Sequence, residues 1–234
     1  MVVNQTQSFP KKVANLAISL VLSLGLWGWV SRENAWADSP LTSTDLASAY
    51  GDIAAVRAAQ RQRSLDPFLL QFLLGDRPLD EKAAVINGLG WRIEGTRHGD
   101  QFLQALAQQQ GKKLENIRLN DLSPDHKFVL GYLLALDNYQ TLSSLKVNPS
   151  QGLAEITPIQ LLSQAAYALP DDFTVQFVRS LVAAQYWFDQ SWCTVYLEPV
   201  AILQQFSPES RNLRPQAIDA AMTYMDLYQA DCRP

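Results

Sequence analysis

The sequence predicts an all-α fold: an irregular bundle of about eight helices that follows an N-terminal signal peptide. Three observations point there. Ala, Leu and Gln are abundant, while the period-two alternation of half-buried strands is scarce. A hydroxyl residue followed by proline stands at Ser123-Pro124, Thr157-Pro158 and Ser207-Pro208. The hydroxyl accepts from an unpaired first-turn N–H, and proline at the first helical position gives up an N–H that would lack a partner anyway. Lastly, Phe173, Phe177, Leu181, Ala184 and Phe188 recur at spacings of three and four, widened by Val175, Val178 and Val182. A stripe that broad suits a central helix contacted from two sides.

The chain begins with Lys11-Lys12, an 18-residue apolar run from Val13 to Val30, and the small-residue pattern Ala35-Trp36-Ala37. Positive n-region, apolar core and A-x-A in that order define a secretory signal peptide, 1–37, with the mature chain starting at Asp38. The rival is an uncleaved anchor through 13–30, because 18 residues fall just inside the spanning range. Asn15, Ser19, Ser23, Gly25 and Gly28 make the run mild and favour cleavage. Ser39-Pro40-Leu41 then reads as a short mobile lead-in.

Helices are expected over 43–63, 66–75, 80–94, 98–110, 124–140, 158–168, 172–190, 193–206 and 213–230. Asp80-Glu81 and Asp171-Asp172 put negative charge at two further starts, where it complements the macrodipole. Helix 124–140 repeats the broad apolar face with Phe128, Val129, Tyr132, Leu133 and Leu136. Gly88 and Gly90 lack the third glycine and the Lys-Ser/Thr of a phosphate loop, and read as points where a helix packs closely or ends. The segment 142–156 is the candidate boundary if the single domain 38–234 divides into two packed halves; Asn148-Pro149-Ser150-Gln151-Gly152 is a loop.

The whole chain carries −4 at neutral pH, and losing Lys11, Lys12, Arg32 and Glu33 leaves −6 on the mature part. An acidic domain without a Lys/Arg cluster is a poor nucleic-acid binder. No downstream apolar run reaches spanning length, so the mature domain is not expected to be transmembrane. Cys193 and Cys232 are the chain's two cysteines. In an exported protein an even count implies a disulfide. It would close a loop of about 40 residues, worth on the order of 4 kcal/mol in the chain-entropy view.

Catalytic and ligand motifs are sparse. His98 and His126 stand 28 residues apart without ligand spacing. They could hold a metal only by meeting in space with Asp100 or Asp125, and the plainer expectation is two surface or boundary histidines without metal or cofactor. No Gly-x-Ser-x-Gly occurs. Glu94, beside Trp91-Arg92, and Glu198, in Tyr196-Leu197-Glu198-Pro199, are weak candidates for a glycan hydrolase, which needs two carboxylates across a cleft. The densest aromatic stretch of the mature chain is Tyr186–Tyr196. Consecutive helical residues point about 100° apart, so Phe188 should be buried with the stripe. At least one of Tyr186, Trp187 and Trp192 should then be exposed as an interaction surface.

The expected function is an exported, non-enzymatic interaction or assembly factor of the periplasm or a thylakoid-type lumen, with a protein partner there. The alternatives are a cell-wall glycan hydrolase using Glu94 or Glu198, and a carrier of a small apolar ligand between helices. N-terminal sequencing of the exported protein should begin at Asp38; recovery of full-length chain from membranes would show the anchor instead.

Overall fold

The computed structural model describes residues 38–91, 95–147 and 151–232. The expected signal peptide 1–37, the hydrolase candidate Glu94 and the loop residues 148–150 lie outside them. Among the described residues the fold is all-helical with no strand. Nine helices form the bundle: α1 (Ala54–Gln62), α2 (Pro67–Leu74), α3 (Leu79–Leu89), α4 (His98–Gln109), α5 (Pro124–Asp137), α6 (Pro158–Ala168), α7 (Phe173–Trp187), α8 (Trp192–Gln205) and α9 (Pro215–Met225). A single turn, Gln151–Ala154, precedes α6, and 3-10 turns at Ala47–Tyr50 and Asp226–Cys232 sit near the two ends.

The starts follow local chemistry. Ser123 Oγ accepts from His126 N at 3.2 Å. Thr157 and Gln160 exchange bonds as a capping box. Asp172 accepts from Val175 N at 3.0 Å, Asp66 from Leu69 N at 2.8 Å, and Ser191 from Thr194 N at 3.3 Å. Ser207-Pro208 opens only a three-residue 3-10 turn, Pro208–Ser210, whose N-cap side chain makes no cap bond. The expected helix 43–63 is interrupted: a 3-10 turn precedes Gly51-Asp52, and only then does α1 begin. Gly90 ends α3 at φ +70°, a conformation that favours glycine. That is why the expected helix 80–94 stops at Leu89.

α5 and α7 are the central helices. Every residue from Phe128 to Asp137 is buried. On α7, Phe173, Phe177, Leu181 and Ala184 are all sealed, with Phe173 and Phe177 rings 5.2 Å apart. The broadest helix pairing is α5 with α6, on either side of 142–156. It depends on Gly131. A Cβ there would stand 2.9 Å from Leu162 Cγ, 3.1 Å from Leu161 Cβ and 3.2 Å from the Pro158 carbonyl.

The lead-in is not mobile. Ser39, Pro40 and Leu41 are buried. Leu41 N donates to Gln185 Oε1 at 3.3 Å, and Trp91 Nε1 donates to the Thr42 carbonyl at 3.4 Å. Asn87 then fastens the segment to α3. Its Nδ2 donates to the Thr44 carbonyl at 2.8 Å and its Oδ1 accepts from Ala47 N at 3.0 Å. Leu41 and Leu46 supply the apolar reason for the docking. No helix among the described residues is long and apolar enough to cross a membrane.

Gly131→Ala should lower stability by about 1–3 kcal/mol, because Leu161, Leu162 and a backbone oxygen close the space from three sides. For a domain this size the melting temperature should drop by roughly 2–10 °C in calorimetry. An unchanged or raised value would show that α6 can step back.

Candidate functional site

The aromatic stretch forms a corner between α7 and α8. The chain turns because Gln190 N and Ser191 N both donate to the Trp187 carbonyl, at 2.8 and 2.9 Å. Ser191 then caps α8. Tyr186 is 54 % exposed and Trp192 56 % exposed, while Trp187 is half-buried against the core. Phe188 is half-buried rather than buried. α7 ends at Trp187 and Phe188 occupies the C-cap with helical dihedrals, φ −54° and ψ −42°; it keeps the direction of the stripe and packs on the edge of the core, but at the turn that follows it is only half-buried.

The C-terminal 3-10 turn completes the surface. Cys193 and Cys232 stand at disulfide distance, with Cα atoms 4.7 Å apart. The link lays Tyr228 against α8. Its ring meets Phe188 at 5.9 Å, Trp192 at 6.3 Å and Tyr224 at 5.5 Å. The Tyr224 and Tyr228 hydroxyls are 2.7 Å apart. Leu227 is exposed beside them, and Leu197 is exposed one turn beyond Cys193 on α8. Of six exposed large hydrophobics among the described residues, four belong to this corner: Tyr186, Trp192, Leu197 and Leu227.

Its rim is acidic. Residues 186–198 and 224–232 contain Asp189, Glu198, Asp226 and Asp231 and no Lys or Arg; Arg233, which follows, lies outside the described residues. Asp38 joins them from the other end of the chain. Burial pushes the Tyr224 and Tyr228 hydroxyls above their ordinary values, and the Asp38 carboxylate adds to both shifts. The sequence pointed to Tyr186, Trp187 and Trp192 but missed Tyr224, Tyr228 and Asp38. The signal was available in the cysteine pairing, since Tyr228 lies one helical turn before Cys232 and must come beside Cys193.

The other candidates disperse. His98 is buried, not superficial: its Nδ1 lies 3.4 Å from Asp137 Oδ1 at the C-terminal end of α5. His126 sits at the N-terminal end of α5. Eleven residues of helix at 1.5 Å each hold the two ends about 16 Å apart, too far to share a metal. Among the described residues no three His, Cys, Asp or Glu side chains are grouped to hold one. Asp100 is committed elsewhere, accepting from Arg97 Nε at 2.8 Å and Lys146 N at 3.1 Å. Asp125 faces the buried Lys82 ammonium at 3.5 Å.

Glu198 is half-buried on α8 and meets no hydrogen-bond or ion-pair partner among the described residues. Glu94, its companion candidate, lies outside them. An open groove of about 530 Å³ runs beside α6. It is lined by Glu155, Gln160, Ser163 and Gln164 with Ile156 and Ile159 and lies open to solvent rather than enclosing a ligand. Comparison with family models, with curated proteins and with solved structures finds no match to this chain.

Burial, and then the nearby Lys82 ammonium, hold the His126 pKa below its ordinary value. The unfolded chain therefore takes up this proton first. Stability from His126 should be complete above about pH 6.5 and decline as pH falls through that range. His126→Gln should flatten the melting-temperature profile between about pH 7.5 and 5.5 relative to the parent. Parallel profiles would show that the imidazole does not report on folding.

Proposed function

We propose that this chain is an exported, non-enzymatic interaction factor that docks a protein partner through the aromatic corner between α7 and α8. The observation that carries the reading is the concentration of exposed large apolar side chains there, above a core that is otherwise sealed. Trp and Tyr are the side chains on which interface energy concentrates, because they cover large area at low entropic cost. The acidic rim indicates the partner's chemistry: a face bearing Lys and Arg, whose guanidinium groups can stack on Trp192 and Tyr186 while pairing with the rim carboxylates. Two copies of this chain would bring like charges together, which disfavours self-association.

Export is supported by the leader pattern in the sequence and by the cysteine pair at bonding distance. The compartment proposed is the periplasm or a thylakoid-type lumen.

Trp192→Ala and Tyr186→Ala should leave the melting temperature nearly unchanged, since both side chains are more than half exposed. Each should weaken the complex captured from the native envelope by more than about 1 kcal/mol, with weakening also by salt. Phe177→Ala, in the sealed stripe, should instead cost about 3–5 kcal/mol of stability. A complex indifferent to both corner substitutions would remove this reading. Loss of function in Glu198→Gln with folding intact would revive the hydrolase alternative.

A further inference from the structure

We infer that the Cys193–Cys232 disulfide is a redox-operated clasp on the docking surface, opened by a dithiol reductant. This rests on the aromatic corner being that surface, although the clasp itself is read from packing alone. The 3-10 segment Asp226–Cys232 has no buried residue. Leu227 points to solvent at 67 % exposure, and Tyr228 is half-buried. Apart from the disulfide, the segment is held through one side chain, Tyr228, whose ring packs on the edge of the core and against Phe188, Trp192 and Tyr224, with a hydroxyl contact between Tyr224 and Tyr228. Seven residues is long for 3-10 geometry, whose bonds are poorer than those of an α-helix. A segment without buried apolar side chains opens locally at little free-energy cost. The covalent link is what obliges it to remain on α8.

The bundle does not share that dependence. α5, α6 and α7 are held by residues sealed from solvent, none of them in the segment 226–232. Opening the link therefore frees the segment and leaves the core. Both cysteines are half-buried at the surface, so an incoming thiolate can reach them. The thiolate of a dithiol attacks one sulfur, the Cys193–Cys232 bond breaks, and the released cysteine takes a proton. The second thiol of the reductant then displaces the remaining cysteine. Two electrons and two protons have passed to Cys193 and Cys232, and the dithiol has become a disulfide. Tyr228, Asp226 and Asp231 leave Trp192, and the surface loses one aromatic wall together with two of its acidic residues.

The test is hydrogen exchange on the full exported protein, oxidised and after equilibration with excess reduced dithiothreitol, with alkylation to count free thiols. Reduction should expose both thiols and speed amide exchange in 226–232 at least about tenfold, while 124–137 and 173–184 keep their protection. Cys193→Ser/Cys232→Ser should reproduce the reduced pattern without reductant. The clasp is overturned if the cysteines resist dithiothreitol, if exchange in 226–232 is indifferent to reduction or to the double substitution, or if the core helices lose protection too. The two readings fail separately. Partner binding that ignores Trp192→Ala in oxidised protein removes the docking surface and leaves the exchange result standing. Exchange that ignores reduction removes the clasp and leaves the docking surface.

Discussion

Ten consecutive buried residues, Phe128–Asp137, impose the main constraint on this fold: a stretch of helix sealed from solvent on every face must be enclosed from every side. Each neighbour is shaped by that demand. α6 approaches where Gly131 leaves room, and α4 where Gly99 does; a Cβ on Gly99 would stand 2.6 Å from Leu134 Cδ2. The end of α5 carries the sharper problem, because Asp137 brings a carboxylate into the interior. A buried charge is tolerated only when its lone pairs are occupied. Asp137 Oδ1 accepts from His98 N at 3.0 Å and Oδ2 from Gly99 N at 2.8 Å, and the Thr96 hydroxyl also reaches it. One carboxylate thus supplies the missing N-cap of α4 from another helix. Reciprocally, the positive end of α4 makes the buried charge acceptable.

That exchange explains which parts of the fold were readable. Helix starts capped from within, at Ser123, Thr157 and Asp172, carry their signature in adjacent residues. The start of α4 is read correctly at residue 98, but its cap is not: that comes from 38 residues away, on Asp137. The N-terminal segment failed for a related reason. Ser39-Pro40-Leu41 has lead-in composition, yet Gln185 and Asn87 satisfy the backbone of residues 41–47 and Leu46 fills the core. Local composition does not register a distant side chain that pairs with backbone. Phe188 was placed on the right face but too deep: it continues the α7 register at the C-cap, where the chain turns at the edge of the core.

At the surface, chain proximity and spatial proximity contribute unequally. Tyr186, Trp187 and Trp192 were visible because they are dense in sequence. The second wall of the corner came from Tyr224 and Tyr228, and the rim from Asp38, none of them near in sequence. Only the cysteine pair linked the two regions on the page of residues alone. The histidines show the converse. Both stand at helix starts with acidic neighbours, a pattern that invites a metal, but α5 itself separates them.

The N-terminus of the folded unit also bears on export. Ser39 is 3 % and Leu41 2 % exposed, and Thr44 Oγ1 donates to the buried Pro40 carbonyl at 2.7 Å. A chain cut after Ala37 keeps all of these and begins with the exposed Asp38, whose carboxylate accepts from Ser43 Oγ at 3.1 Å. A cut only four residues later would delete Leu41 and the Pro40 carbonyl, leaving a hole beside Gln185 and an unpaired buried hydroxyl on Thr44, each of order 1–3 kcal/mol. The folded unit thus tolerates a chain that begins at Asp38 and not one that begins at Thr42. Asp38 itself acts on the Tyr224 and Tyr228 hydroxyls, so that the α7–α8 turn, the disulfide-bound C-terminal segment and Asp38 converge on one surface.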